Sequence, residues 1–285
     1  MAAALEGSGP AAPPAAKEAK SRQPARWRRT WARPPVRLVP LVFFRYAPVL
    51  ILLLAWEAAP RIGLVNPQVL PSLGAVLHAW VRLFRSDNLL RATVASITNL
   101  CAGLGLGIGV GVALGVATAW WPALEALTSP LVKSLYPMPK SALIPVMILW
   151  FGMGSESIIA SIFMGSLLPV AMSAYNGARG VDRTLAWSAR ALGARPGAVM
   201  RDIVLPSAIP DILAGVRTAL GISFIIMVAA EFLFGQSGLG YLISLLGDDG
   251  AYPGMFAAIL TVSIIGFFAD RLYLILMRRI LLWRD

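Results

Sequence analysis

Six long apolar runs, separated by short connections, leave this chain few ways to fold. They cover about 38–59, 92–121, 134–151, 158–175, 209–234 and 252–276. As a helix, the first is about 33 Å long at 1.5 Å per residue, the thickness of a hydrocarbon core. Runs of this length can satisfy their backbone polar groups in lipid only as helices. The predicted class is therefore all-α, a polytopic membrane protein with six transmembrane helices. Composition agrees: 58% of residues are apolar and only 14% charged, against roughly 45–50% and 25% in ordinary globular chains.

The net charge is nevertheless +11, and its placement carries information. Lys17, Lys20, Arg22, Arg26, Arg28, Arg29, Arg33 and Arg37 precede the first span, and Arg45 lies within it. Residues 1–37 show no helical period and are expected to be a disordered basic tail, too long for a signal-peptide n-region. The tail either sets topology or, with Trp27 and Trp31 at headgroup level, binds anionic lipid. Arg179, Arg183, Arg190, Arg195 and Arg201 occupy the fourth connection, and Arg278, Arg279 and Arg284 the C-terminus. The bias places both termini in the cytoplasm of a multi-pass membrane protein. The first outer connection runs against the trend, with Arg61, Arg82, Arg85 and Arg91; residues 73–84 read as an amphipathic helix at the interface. The expected organisation is the tail (1–37), a first span with an interfacial segment (38–91), and a core transmembrane domain (92–285) with a long basic cytoplasmic loop (178–208).

Several chemistries are excluded. Cys101 and His78 are the single cysteine and histidine, which rules out an intrachain disulfide and makes a His/Cys zinc site implausible. There is no Gly-rich phosphate loop ending in Lys-Ser or Lys-Thr; Lys140-Ser141 follows Pro137 and Pro139. No catalytic, metal or cofactor residue is expected in this chain.

Gly103, Gly107, Gly111 and Gly115 recur every fourth residue on the second span. They share one helix face, and a glycine stripe lets another backbone approach closely in lipid. No strand precedes them and the spacing is not that of a dinucleotide-binding loop, so they predict helix packing.

The fourth connection suggests two short helices separated by Gly193–Gly197, with Pro206 and Pro210 at the re-entry into the membrane. It resembles the cytoplasmic loop of ABC-type importer permeases: Glu-Ala-Ala, three residues, Gly, nine residues, Ile-x-Leu-Pro. The matching positions are Trp187, Ser188, Ala189, Gly193, Ile203, Leu205 and Pro206, with Trp187 in place of Glu and Ser188 in place of the first Ala. YPMPKSALIPVMILWFGMG (136–154), GARGVDRTL (177–185) and VAAEFLFGQSGLGYLI (228–243) resemble the branch that imports sulfonates, taurine, nitrate and related compounds. Together the likeness covers roughly 46–280.

The resemblance implies a type I ABC importer permease fold and a coupling helix that seats in a cleft of the ATPase, with Arg190 and Arg195 at its rim. It implies a second permease chain, most simply a homodimer about a two-fold axis. It also implies two ATPase subunits that bind ATP and Mg, and an external solute-binding protein. The favoured solute is an aliphatic sulfonate or taurine; nitrate, bicarbonate, cyanate, an aromatic acid or a thiamine-precursor-like compound remain open.

Ionisable residues within spans are candidates for function. Glu231 and Lys140 either line a gate or pathway, or serve as an interhelical pair or an interface-seeking side chain. Met147, Ser223 and Met227 either line the path or pack. Two other classes compete with the permease reading. An intramembrane serine protease rests on Gly235-Gln236-Ser237-Gly238 with His78 as base, but no span contains a histidine. A secondary transporter or channel would need internal repeats, and no convincing repeat is present.

Overall fold

The structure, a computed structural model, describes residues 38–283. The basic tail 1–37, with Trp27 and Trp31, lies outside the described residues, as do Arg284 and the side chains of residues 38–46 and Arg183. The chain divides into two compact units after Ile51. Among the described residues, the first unit contributes the start of helix α1 (Leu38–Arg61), and the second holds everything else. Every regular element described is helical.

The second unit is built on α3 (Asn88–Trp120), α6 (Ser155–Arg179) and α9 (Leu205–Phe234). The glycine face of α3 lies against α6 in a constant register. A methyl group added at Gly103 would stand 2.6 Å from Ile162 Cβ, and one at Gly111 would stand 2.9 Å from Val170 Cβ. Gly107 faces Ser166 and Gly115 faces Ala174 in the same way. Each four-residue step on α3 meets a four-residue step on α6, so the two helices run parallel. Gly105 and Gly109, on the other side of α3, have open space around them. Lipid offers no hydrophobic drive for such a pair; close van der Waals contact takes its place.

α9 packs antiparallel on a neighbouring face of α6 and also touches α3. Gly165 abuts Ile226, Gly215 abuts Ser173, and Gly177 abuts Ala208 and Asp211. Leu100, Leu104, Ile144, Ile158, Ile162, Val170, Val216, Ile226 and Met227 form the resulting core.

Because α3 and α6 are parallel neighbours, the chain between them must return across the same thickness. It does so as α4 (Pro122–Leu135), a 3-10 turn (Lys140–Leu143) and α5 (Ile144–Phe151). Tyr175 Oη donates to Glu125 Oε1 at 2.6 Å, which fixes the start of α4 beside the end of α6. Ser157 donates to the Gly152 and Met147 carbonyls, which fixes the end of α5 beside the start of α6. The sequence reading placed one continuous span at 134–151. The return instead begins at Pro122 and is broken between Tyr136 and Pro139. Pro137 and Pro139 each lack an amide donor and disfavour helix in the preceding residue.

At the end of the unit where α3 begins, α2 (Leu73–Arg85), α10 (Leu239–Asp248) and the start of α11 (Tyr252–Ile280) gather. α2 is the amphipathic helix expected at 73–84. Ser72 caps it by accepting the Ala75 amide at 3.2 Å. Trp80 Nε1 ties it to Thr261 Oγ1 of α11 at 3.0 Å. Among the described residues, four helices are long and apolar enough to cross a membrane: Asn88–Trp120, Ser155–Arg179, Pro196–Phe234 and Tyr252–Ile280.

Candidate functional site

At the opposite end, the connection from α6 to α9 folds into α7 (Arg183–Ala191) and a short helix α8 (Pro196–Val199). A π-helical turn (Met200–Val204) carries α8 into α9. The Leu205 amide bonds the Met200 carbonyl five residues back, and Pro206 offers no amide to compete.

Both ends of α7 are defined by local chemistry. Asp182 accepts the Thr184 amide at 2.8 Å as N-cap. That bond holds the Asp182 carboxyl below its ordinary value. At the other end, the Gly193 amide bonds Arg190 O at 3.0 Å and the Ala194 amide bonds Ala189 O at 3.0 Å. This pair of bonds is a Schellman cap, with Gly193 in the left-handed region at φ +88°. The family glycine is thus a stop signal that fixes where the helix ends and the chain turns.

Between its caps α7 presents an apolar surface away from the bundle. Trp187 is 64% exposed and Leu192 89% exposed, with Leu185 beside them. Ser188, Arg190, Gly193, Arg195 and Leu205 are exposed, while Ala189, Ile203 and Pro206 are half-buried. Val199 and Val204 are buried beneath and anchor the connection. In the sequence Leu192 belongs only to the helical period of this connection, and Asp182 is not marked as a cap. An Asp two residues ahead of Thr at the start of a periodic stretch is the signal that identifies the cap.

Lys140 stands in the break of the return crossing, half-buried. Its ammonium donates to the Tyr136 carbonyl and lies 5.1 Å from the centre of the Tyr136 ring. The short turn it begins touches both α6 and α9. Met147, Ser223 and Met227 are buried within the chain, and Ser223 Oγ has no hydrogen-bond partner there. Arg217 on α9 and Asp270 on α11 form a two-pronged pair at 2.8 and 3.2 Å. His78 and Ser237 are both exposed, on α2 and in the connection leading into α10.

Glu231 is fully buried. Its Oε2 accepts Ser96 Oγ at 2.6 Å and the Gly240 amide at 3.0 Å. Ser96 Oγ in turn accepts the Leu239 amide at 2.8 Å. Asn99 lies one turn beyond Ser96; its Nδ2 and Glu231 Oε1 are both buried without partners. Ser96 and Asn99 were not found in the sequence, since nothing local links them to a carboxylate on another helix.

Residues 106–282 match the family model described as the binding-protein-dependent transport system inner membrane component. The chain is 31% identical over 261 residues to the taurine transport system permease protein TauC of Escherichia coli (strain K12), covering 90% of this chain and 94% of that one. It is 30% identical over 268 residues to the aliphatic sulfonates transport permease protein SsuC of Bacillus subtilis (strain 168), covering 94% and 93%. Its fold is similar to that in the inward-facing MetNI methionine ABC transporter, with a TM-score of 0.57 at 18% identity over 67% of this chain and 95% of that one. A spacing of Gly, Ile, Leu and Pro first noticed in a loop is therefore one part of a likeness that runs through the whole bundle, and the chain belongs to the family of binding-protein-dependent transport system inner membrane components, as an ABC importer permease.

Proposed function

We propose that two copies of this chain form the membrane pathway of an importer for small organic sulfonates, taurine among them. Separate subunits would bind ATP and Mg and hydrolyse the nucleotide, and an external binding protein would deliver the solute. The chain itself carries no catalytic chemistry in this reading. The observation that carries it is α7: a helix capped at both ends, standing clear of the bundle, with Trp187 and Leu192 bare. An exposed apolar helix face flanked by Arg190 and Arg195 suits a cleft in a partner protein. The solute class follows from the relatives named for taurine and aliphatic sulfonates.

The α7 end faces the cytoplasm in this reading, because Arg179, Arg190, Arg195, Arg201, Arg278 and Arg279 lie there against Arg61, Arg82, Arg85 and Arg91 at the other. Closure of an ATPase pair draws the two α7 helices together. That movement enters the bundle through the continuous helix from Pro196 to Phe234 and rocks the protomers between inward and outward openings. Lys140 supplies one positive charge partway across. An anion reaching it exchanges with the Tyr136 carbonyl for the ammonium, an interaction weak enough to permit release.

The test is uptake into proteoliposomes holding the permease, its ATPase and its binding protein, with labelled taurine, an alkanesulfonate, nitrate, bicarbonate, cyanate, an aromatic acid and a thiamine precursor supplied in turn. ATP-dependent uptake of taurine or the alkanesulfonate is expected. Uptake of another solute alone overturns the sulfonate assignment, and uptake that ignores ATP overturns the importer reading.

A further inference from the structure

The connection Phe234–Gly238 leads from α9 into α10, a ten-residue helix at the end of the bundle remote from α7. The first amides of any helix have no partner within it, and a helix start buried among apolar residues leaves them without water as well. α10 begins in this condition: Leu239 and Gly240 are both buried. The residue at its N-cap is Gly238, at φ +108°, which has no side chain to accept a hydrogen bond.

The missing cap comes from other helices. Gly240 donates to Glu231 Oε2 of α9, and Leu239 donates to Ser96 Oγ of α3, which donates onward to the same oxygen. The glycines make room for it. A Cβ at Gly238 would collide with the Glu231 carboxylate, and one at Gly240 would stand 2.6 Å from Glu231 Cβ. Three helices thus converge on one oxygen atom.

We propose that Glu231 is a positioning residue that caps α10 from α9, directly and through Ser96, and so makes α3, α9 and α10 move as one body. The inference rests on the importer reading for its functional consequence. Rocking imposed at the α7 end then arrives at α10 undiminished, because α10 is held to α9 by a buried bond at its first turn as well as by the short connection. Glu231 acts here through backbone amides and not through the solute.

Two measurements on the full chain in membranes test this, one of them independent of transport. Hydrogen exchange at Leu239 and Gly240 should quicken roughly ten- to a hundred-fold in Glu231→Ala, the consequence of orphaning buried donors. Glu231→Gln, which keeps an acceptor oxygen, should stay near wild type, and Ser96→Ala should quicken Leu239 more than Gly240. Should Glu231→Ala fail to insert, Glu231→Asp, too short to reach, and Ser96→Ala carry the same comparison. In the complete complex, the ratio of solute-stimulated to basal ATP hydrolysis should fall toward one in Glu231→Ala and be retained in Glu231→Gln. Unchanged exchange in Glu231→Ala overturns the capping role. Quickened exchange with a preserved stimulation ratio overturns the rigid-body role. A wild-type complex lacking stimulation, while the exchange differences hold, defeats the importer reading alone.

Discussion

The backbone at Gly107 lies so close to Ser166 that a methyl group on the glycine would occupy the space of the serine hydroxyl. That hydroxyl is already committed to the Ile162 carbonyl at 2.8 Å. Gly107→Leu should therefore force α3 and α6 apart, at a cost of about 1–3 kcal/mol or more, and lower both membrane yield and melting temperature in detergent. Gly105→Ala, facing open space on the same helix, should be neutral or stabilising by up to about 1 kcal/mol. Equal behaviour of the two variants would show that the register is not held by close approach.

Gly193 has open space around it, so its constraint is conformational. At φ +88°, Gly193→Val should introduce strain of about 1–2 kcal/mol and unwind the end of α7. Gly193→Asn, which adopts the left-handed region more readily, should be milder. The measurement is ATP-dependent uptake with insertion monitored in parallel. Normal uptake in the valine variant would falsify a coupling role for this turn.

Trp187 is the largest bare apolar group on α7. If it seats in the ATPase, Trp187→Ala should weaken assembly by about 2 kcal/mol, or roughly thirty-fold in Kd. Arg190→Ala, at the rim, should do less and mainly alter salt dependence. Binding of the purified ATPase to the permease in nanodiscs reads both.

Asp182 gives a pH prediction with a definite sign. Its folded pKa is depressed by the Thr184 amide, so the stabilisation of α7 is fully present above the unfolded value and is lost as pH falls through the folded one. The Thr184 amide should keep constant protection, corrected for intrinsic exchange, from pH 8 to pH 5, and lose it only below the ordinary Asp range of about 4. Asp182→Asn should retain protection throughout, and Asp182→Ala should lack it at every pH.

Lys140→Gln should slow solute uptake while insertion and ATPase binding persist, because the ammonium is half-buried in a break and holds only its own turn. Equal uptake by the two proteins would remove Lys140 from the pathway.

The elements most legible in the sequence were those in which one physical signal dominates. Glycine every fourth residue on α3 specifies a face, although not that α6 is its partner or that the pair is parallel. That parallel arrangement is what moves the third crossing back to Pro122. Glu125, Thr128, Ser129 and Lys133 lower the hydropathy of α4, so periodicity alone assigns it to a connection. The ends of α7 were half legible: Gly193 through family spacing, Asp182 not at all. Glu231 stood out as a charge in a span, but its task depends on Ser96 and on the amides of α10. The trio Gly235, Gly238 and Gly240 was the one local hint that something bulky and polar must fit against the turn.

The shared register of α3 and α6 works like a rack with one tooth every four residues. Sliding by a fraction of a tooth drives Ile162, Ser166 and Val170 into backbone, and the next fit is about 6 Å away. Such a joint transmits force but does not give. A slide along the helix axes therefore cannot pass between α3 and α6, whereas the proline-broken stretch from Tyr136 to Pro139, which leads directly into Lys140, lies outside that register.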